Sequence, residues 1–79
     1  MDLKVTLVIA GNYKEFLQWC RENKENAMDP FIRYARHEDQ LRGLKVKEIK
    51  YCGTYWKNPV IQSYLLTELE MEIKKNERL

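Results

Sequence analysis

The segment Leu3–Ala10 constrains the chain most. Leu3, Val5 and Leu7 alternate with Lys4 and Thr6, and Val8-Ile9-Ala10 then runs apolar without a break. Alternation describes a strand with one covered face, and an unbroken run describes a strand covered on both. Such a strand needs a layer above and below it, which points to the centre of a small parallel sheet carrying helices on its faces.

Gly11 ends this strand. Asn12, with Glu15 three residues later, gives a capping-box-like helix start in which Asn12 accepts a backbone N–H bond. Tyr13, Phe16, Leu17 and Cys20 then recur at i, i+3, i+4 and i+7, so the helix presents one apolar stripe. Asn23 to Pro30 is rich in turn formers and charges and reads as a connection into a short strand Phe31–Ala35, an edge strand because Arg33 interrupts it. His37–Arg42 predicts a helix of one or two turns that Gly43 caps. Val46, Ile49, Tyr51 and Cys52 form a third strand, again closed by a glycine. Asn58-Pro59 then supplies a cap followed by proline at the first helical position, so a long final helix is expected over 59–79. The alternation of strands and helices predicts a Rossmann-like α/β domain with βαβαβα order, right-handed crossovers and a short parallel sheet. At 79 residues the chain makes this one domain, 1–79, and no second.

In the last helix Ile61, Leu65, Leu69 and Ile73 form one row, while Val60, Tyr64 and Met71 project from another sector. The apolar arc is wider than one sheet face covers. A homodimer partner meeting Tyr64 and Met71 is one cover, and other parts of the same domain are the alternative.

In open α/β sheets ligands bind beyond the carboxyl ends of the strands, where a helix N-terminus offers free N–H groups. Two near-matching turns meet that description: Gly11, Asn12, Tyr13 and Lys14 after the first strand, and Gly53, Thr54, Tyr55, Trp56 and Lys57 after the third. With Arg42 and the two lysines adding charge, they would suit a phosphate-bearing ligand, a nucleic acid or an acidic protein surface. Neither a G-x-G-x-x-G fingerprint nor a P-loop is present. Adjacent aromatics on a loop cannot both face the core, so Tyr55 and Trp56 read as a stacking platform or an interface anchor, with packing of one of them as the alternative. The segment from Phe31 to Asn58 holds seven basic residues (Arg33, Arg36, Arg42, Lys45, Lys47, Lys50, Lys57) against three acids (Glu38, Asp39, Glu48), a moderate excess that falls short of a dedicated DNA-binding stripe.

Catalysis would draw on Cys52, His37, Glu38 and Asp39, which no spacing ties together, and a single histidine with scattered acids makes a poor metal set. No catalytic residue, metal or cofactor is therefore expected. Cys20 and Cys52 lie far apart and suit reduced, packed thiols. No apolar run approaches a membrane span, and the chain enters a strand pattern at once, so a cytoplasmic protein without membrane contact is expected.

The motifs Ala10-Gly11-Asn12-Tyr13 with Phe16-Leu17 and Trp19, Gln40-Leu41-Arg42-Gly43-Leu44, and Gly53-Thr54-Tyr55-Trp56 with Asn58-Pro59 together resemble those of small Rossmann-like proteins encoded in bacteriophage genomes. The resemblance runs from about Leu7 to Pro59. It implies an accessory protein that binds a host protein and modulates or inhibits it, or a defence component, acting in the bacterial cytoplasm. The first strand and turn are also similar to the opening of nucleoside deoxyribosyltransferase-like proteins, which bind nucleosides at that edge. The carboxylate nucleophile and acid partners of those enzymes have no match in this sequence.

Overall fold

A computed structural model describes residues 4–77. Leu3 of the expected first strand and residues 78–79 of the expected last helix lie outside them. The chain forms strand β1 (Val5–Ala10), helix α1 (Tyr13–Glu22), strand β2 (Ile32–Tyr34), a 3₁₀ turn over Glu38–Leu41, strand β3 (Val46–Cys52), two further 3₁₀ turns over Tyr55–Lys57 and Pro59–Gln62, and helix α2 (Tyr64–Glu77). It is a small α/β unit with a three-stranded parallel sheet in the order β2-β1-β3.

β1 is central, and all six of its residues are buried. Its odd positions Leu7 and Ile9 pack with Leu41, Val60 and Leu66, backed by Leu65 and Leu69 of α2. Its even positions Val8 and Ala10 pack with Phe16 and Cys20 of α1. Both faces are therefore covered, as the unbroken apolar run requires. Each fully buried Leu, Ile or Val here removes enough apolar surface from water to contribute about 1.5–3 kcal/mol.

β3 is an outer strand, which accounts for its polar character: Lys47 and Lys50 on an exposed edge discourage pairing with other chains. It also carries an irregularity. Val5 pairs with Val46, but Thr6 pairs with Glu48, so one extra residue is accommodated on β3. This lets Val46 and Ile49, an odd number of positions apart, pack against the same cluster. On the other face the Thr6 hydroxyl donates to Glu48 at 3.0 Å, and Glu48 also pairs with Lys50 at 3.6 Å.

Three expectations need correction. The second crossover carries only a 3₁₀ turn, because Gln40 turns its side-chain oxygen back onto the N–H groups of Arg36 and His37 and the turn ends by Arg42. The last helix does not start at Pro59. Residues 59–62 form a 3₁₀ turn, and α2 begins after Ser63, whose hydroxyl accepts from the Leu65 N–H at 3.1 Å. This break moves Val60 out of the outer sector and into the core at 1% exposure, and it makes Leu66 the buried residue of α2. Tyr64 and Met71 remain on the outside, both strongly exposed.

Candidate functional site at the carboxyl edge of the sheet

The two glycine turns meet. Ala10 pairs with Cys52 at the ends of β1 and β3, which sets Gly11 beside Gly53 and Thr54. Asn12 caps α1 as expected, its side-chain oxygen accepting from the Glu15 N–H at 2.9 Å. The carboxylate of Glu15, however, does more than complete a local capping box. One oxygen accepts from the Gly11 N–H at 3.0 Å, and the same carboxylate crosses to the other turn, where it takes the Thr54 N–H (3.0 and 3.2 Å) and the Thr54 hydroxyl (2.8 and 3.1 Å). The position between the turns that would suit an anion is filled by the chain's own carboxylate.

Charge-assisted bonds of this kind favour the ionised form. The Thr54 hydroxyl and then the Thr54 N–H hold the Glu15 carboxyl below its ordinary range, with Gly11 and the Lys57 ammonium adding to the effect against partial burial. The same geometry explains both glycines. A Cβ on Gly11 would stand 2.5 Å from the Thr54 carbonyl oxygen. Gly53 has φ +56°, and a Cβ there would stand 2.6 Å from the Glu15 carboxyl carbon.

Beyond Thr54 the chain turns outward. Tyr55 and Trp56 are both exposed, and Tyr51 at the end of β3 joins them: ring centroids are 5.2 Å apart for Tyr51 and Tyr55 and 5.3 Å for Tyr55 and Trp56, the second pair edge-to-face. The Tyr51 hydroxyl donates to Glu70 of α2, and burial together with this carboxylate pushes the phenol up. Tyr51 escaped the sequence reading because a tyrosine in a strand looks like packing. Its place on an outer strand next to the turn is the missing information.

Asn58 secures the loop from below. It is 1% exposed. Its side-chain N–H groups donate to the carbonyls of Ala10 and Ala35, both at 2.8 Å, and its oxygen accepts from the Val60 N–H at 3.0 Å. One amide thus ties the ends of β1 and β2 to the turn that follows the aromatic loop.

The other site candidates divide. Tyr13 is half exposed and leans on Phe16 and Tyr34, and Lys14 is exposed on α1. Lys57 lies close enough to act on Glu15. Arg42 does not join the turns: its guanidinium pairs with Asp39 at 3.1 Å and Glu38 at 3.4 Å on its own turn. His37 starts that turn and lines a separate cleft of about 220 Å³ with Arg36, Pro59, Val60 and Ser63. Glu38 accepts from the Ser63 hydroxyl at 2.9 Å, so this acid supports the start of α2.

Both cysteines are free thiols, Cys20 buried and Cys52 half-buried, and burial pushes both thiols up. A raised thiol is a poorer nucleophile at neutral pH. The Tyr34 hydroxyl is buried with no hydrogen-bond partner among the described residues. Among the described residues no group of His, Cys, Asp and Glu could hold a metal ion, and no helix is long and apolar enough to cross a membrane. No protein-family model, curated protein or solved structure matches the chain.

Proposed function

We propose that this chain is a small Rossmann-like binding module that docks on another protein through its aromatic edge. Following the resemblance to phage-encoded proteins, that partner is a bacterial host protein whose activity the module modulates. The observation that supports the reading is the contiguous, exposed set Tyr51, Tyr55 and Trp56, since tyrosine and tryptophan are among the residues that most often anchor protein interfaces. The alternative, a phosphate binder, loses ground because a phosphate would have to displace the Glu15 carboxylate from the donors of Gly11 and Thr54. Those donors already satisfy one anion.

The test is recovery of a partner from bacterial lysate by the tagged chain. The double variant Tyr55→Ala with Trp56→Ala is expected to lose that partner while keeping the wild-type circular dichroism spectrum. Undiminished recovery by the double variant would refute the reading. Titration with nucleotides and short oligonucleotides at low salt is expected to leave the Gly11 and Gly53 amide resonances in place, and shifts there would favour the phosphate binder instead.

A further inference from the structure

The Glu15 carboxylate is the only side chain that the described hydrogen bonds place between the two glycine turns, and it belongs to neither of them. It sits on the first turn of α1, which is packed against the sheet through Phe16 and Cys20. Thr54, which it holds by both N–H and hydroxyl, is the residue immediately before the aromatic turn Tyr55–Lys57. The Thr54 carbonyl in turn accepts the Lys57 N–H at 2.9 Å, closing that turn. A short path therefore runs from a rigid helix, through one carboxylate, to the residue that starts the exposed aromatic loop.

We propose that Glu15 is the positioning residue of the aromatic edge: its ionised carboxylate, shared between Gly11 and Thr54, fixes the loop that presents Tyr55 and Trp56, and protonation of that carboxylate releases the loop. The inference rests on the binding reading above for its purpose, though its physical content does not. Two features make the carboxylate decisive. None of residues 55–57 is buried, and the loop's other ties lie on its far side, where the Tyr55 carbonyl accepts the Asn58 N–H at 3.0 Å and the Tyr55 ring meets Tyr51. Protonation also removes the charge and turns one acceptor site into a donor, so the carboxyl holds these three donors, two of which reach both of its oxygens, much more weakly than the ionised group does.

The titratable groups that face Glu15 are the Lys57 ammonium from the aromatic turn, the Tyr34 phenol from β2 and the Cys52 thiol from β3. At neutral pH the phenol and the thiol are uncharged and the ammonium is positive, so none competes with the carboxylate for negative charge. A carboxyl whose folded-state value is depressed contributes above its unfolded value and loses that contribution as pH falls through the folded value. The loop is accordingly held at neutral pH and freed only below the ordinary carboxylate range.

The experiment follows backbone amide resonances and heteronuclear NOEs while wild-type protein is titrated from neutral to strongly acidic solution. The Gly11 and Thr54 amides are expected to move upfield with one shared midpoint below the ordinary carboxylate range. The NOEs of Tyr55, Trp56 and Lys57 should fall at the same midpoint while the Val8 and Ile9 amides stay in place. Glu15→Gln at neutral pH is expected to give the acid-state loop, and the wild-type titration stands alone should that variant not fold. Separate midpoints for Gly11 and Thr54, an unchanged loop, or loss of Val8 and Ile9 at the same midpoint would each overturn the inference. Aromatic-dependent partner recovery with no such titration would refute the positioning role alone. The titration without aromatic-dependent recovery would refute the binding role alone.

Discussion

Replacing Asn58 tests how the carboxyl edge is held together. Its amide makes three buried hydrogen bonds, two from Nδ2 to the carbonyls of Ala10 and Ala35 and one to Oδ1 from the Val60 N–H. Asn58→Leu keeps the branched heavy-atom skeleton and strips all three. Each buried group that loses its partner costs about 1–3 kcal/mol. The low end applies to carbonyls that retain a second lone pair, so the expected loss is about 3 kcal/mol. A chain of this length has a total stability on the order of 4–12 kcal/mol, so the variant gives up a large part of it. Thermal unfolding should drop by roughly 12–24 °C, and the urea midpoint should fall with an unchanged slope. Asn58→Asp makes the test sharp. It keeps the acceptor that caps the following turn, worth about 1 kcal/mol, but turns a carboxylate oxygen toward the two carbonyls. If the cap were the whole role of Asn58, Asn58→Asp would be nearly harmless, and a loss below about 1 kcal/mol would refute the assignment of the two Nδ2 bonds. The structure predicts that Asn58→Asp is at least as damaging as Asn58→Leu.

Two further outcomes follow from the glycines and the thiols. Gly43 and Gly53 both have positive φ, +70° and +56°, but a Cβ on Gly43 meets nothing within 4 Å while one on Gly53 meets the Glu15 carboxyl. Gly43→Ala should therefore cost only the left-handed backbone penalty of about 1–2 kcal/mol, and Gly53→Ala should cost more by urea denaturation; equal losses would refute the packing argument. Both thiols are raised by burial, so each should react with a neutral disulfide reagent more slowly than a free cysteine at neutral pH, Cys52 ahead of the more buried Cys20, and a fast Cys20 would contradict the packing of α1 on the sheet.

Much of the fold was legible because its signals are local. The apolar run of β1, the i, i+3, i+4 stripe of α1 and the glycines closing β1 and β3 are patterns within a few residues, and each landed where the sequence put it. The errors came where two local signals competed. Asn58-Pro59 is a genuine start, and Asn58 does cap the turn it opens, but Ser63 is a second cap that resets the helix frame. Carrying one periodic row through Ser63 put Ile61, Leu65 and Leu69 in line and passed over Leu66, the residue that α2 buries. The charge of Arg42 by itself points toward the glycine turns, but Glu38 and Asp39 stand four and three residues before it, the spacing at which helical neighbours pair.

The convergence of the two turns was legible, and its content was not. Asn12 and Glu15 carry a capping-box spacing, which accounts for one bond of the Glu15 N–H and invites the assumption that the carboxylate stays on its own turn. Its principal partner, Thr54, lies 39 residues away and is brought near only by the pairing of β1 with β3. No periodicity reports such a contact, yet it changes the chemistry of the edge. An empty pair of N–H groups would have favoured a phosphate, whereas a filled one turns the same glycines into fittings for an internal anion. That substitution shifts the functional weight outward, from the space between the turns to the aromatic rings that the carboxylate holds in place.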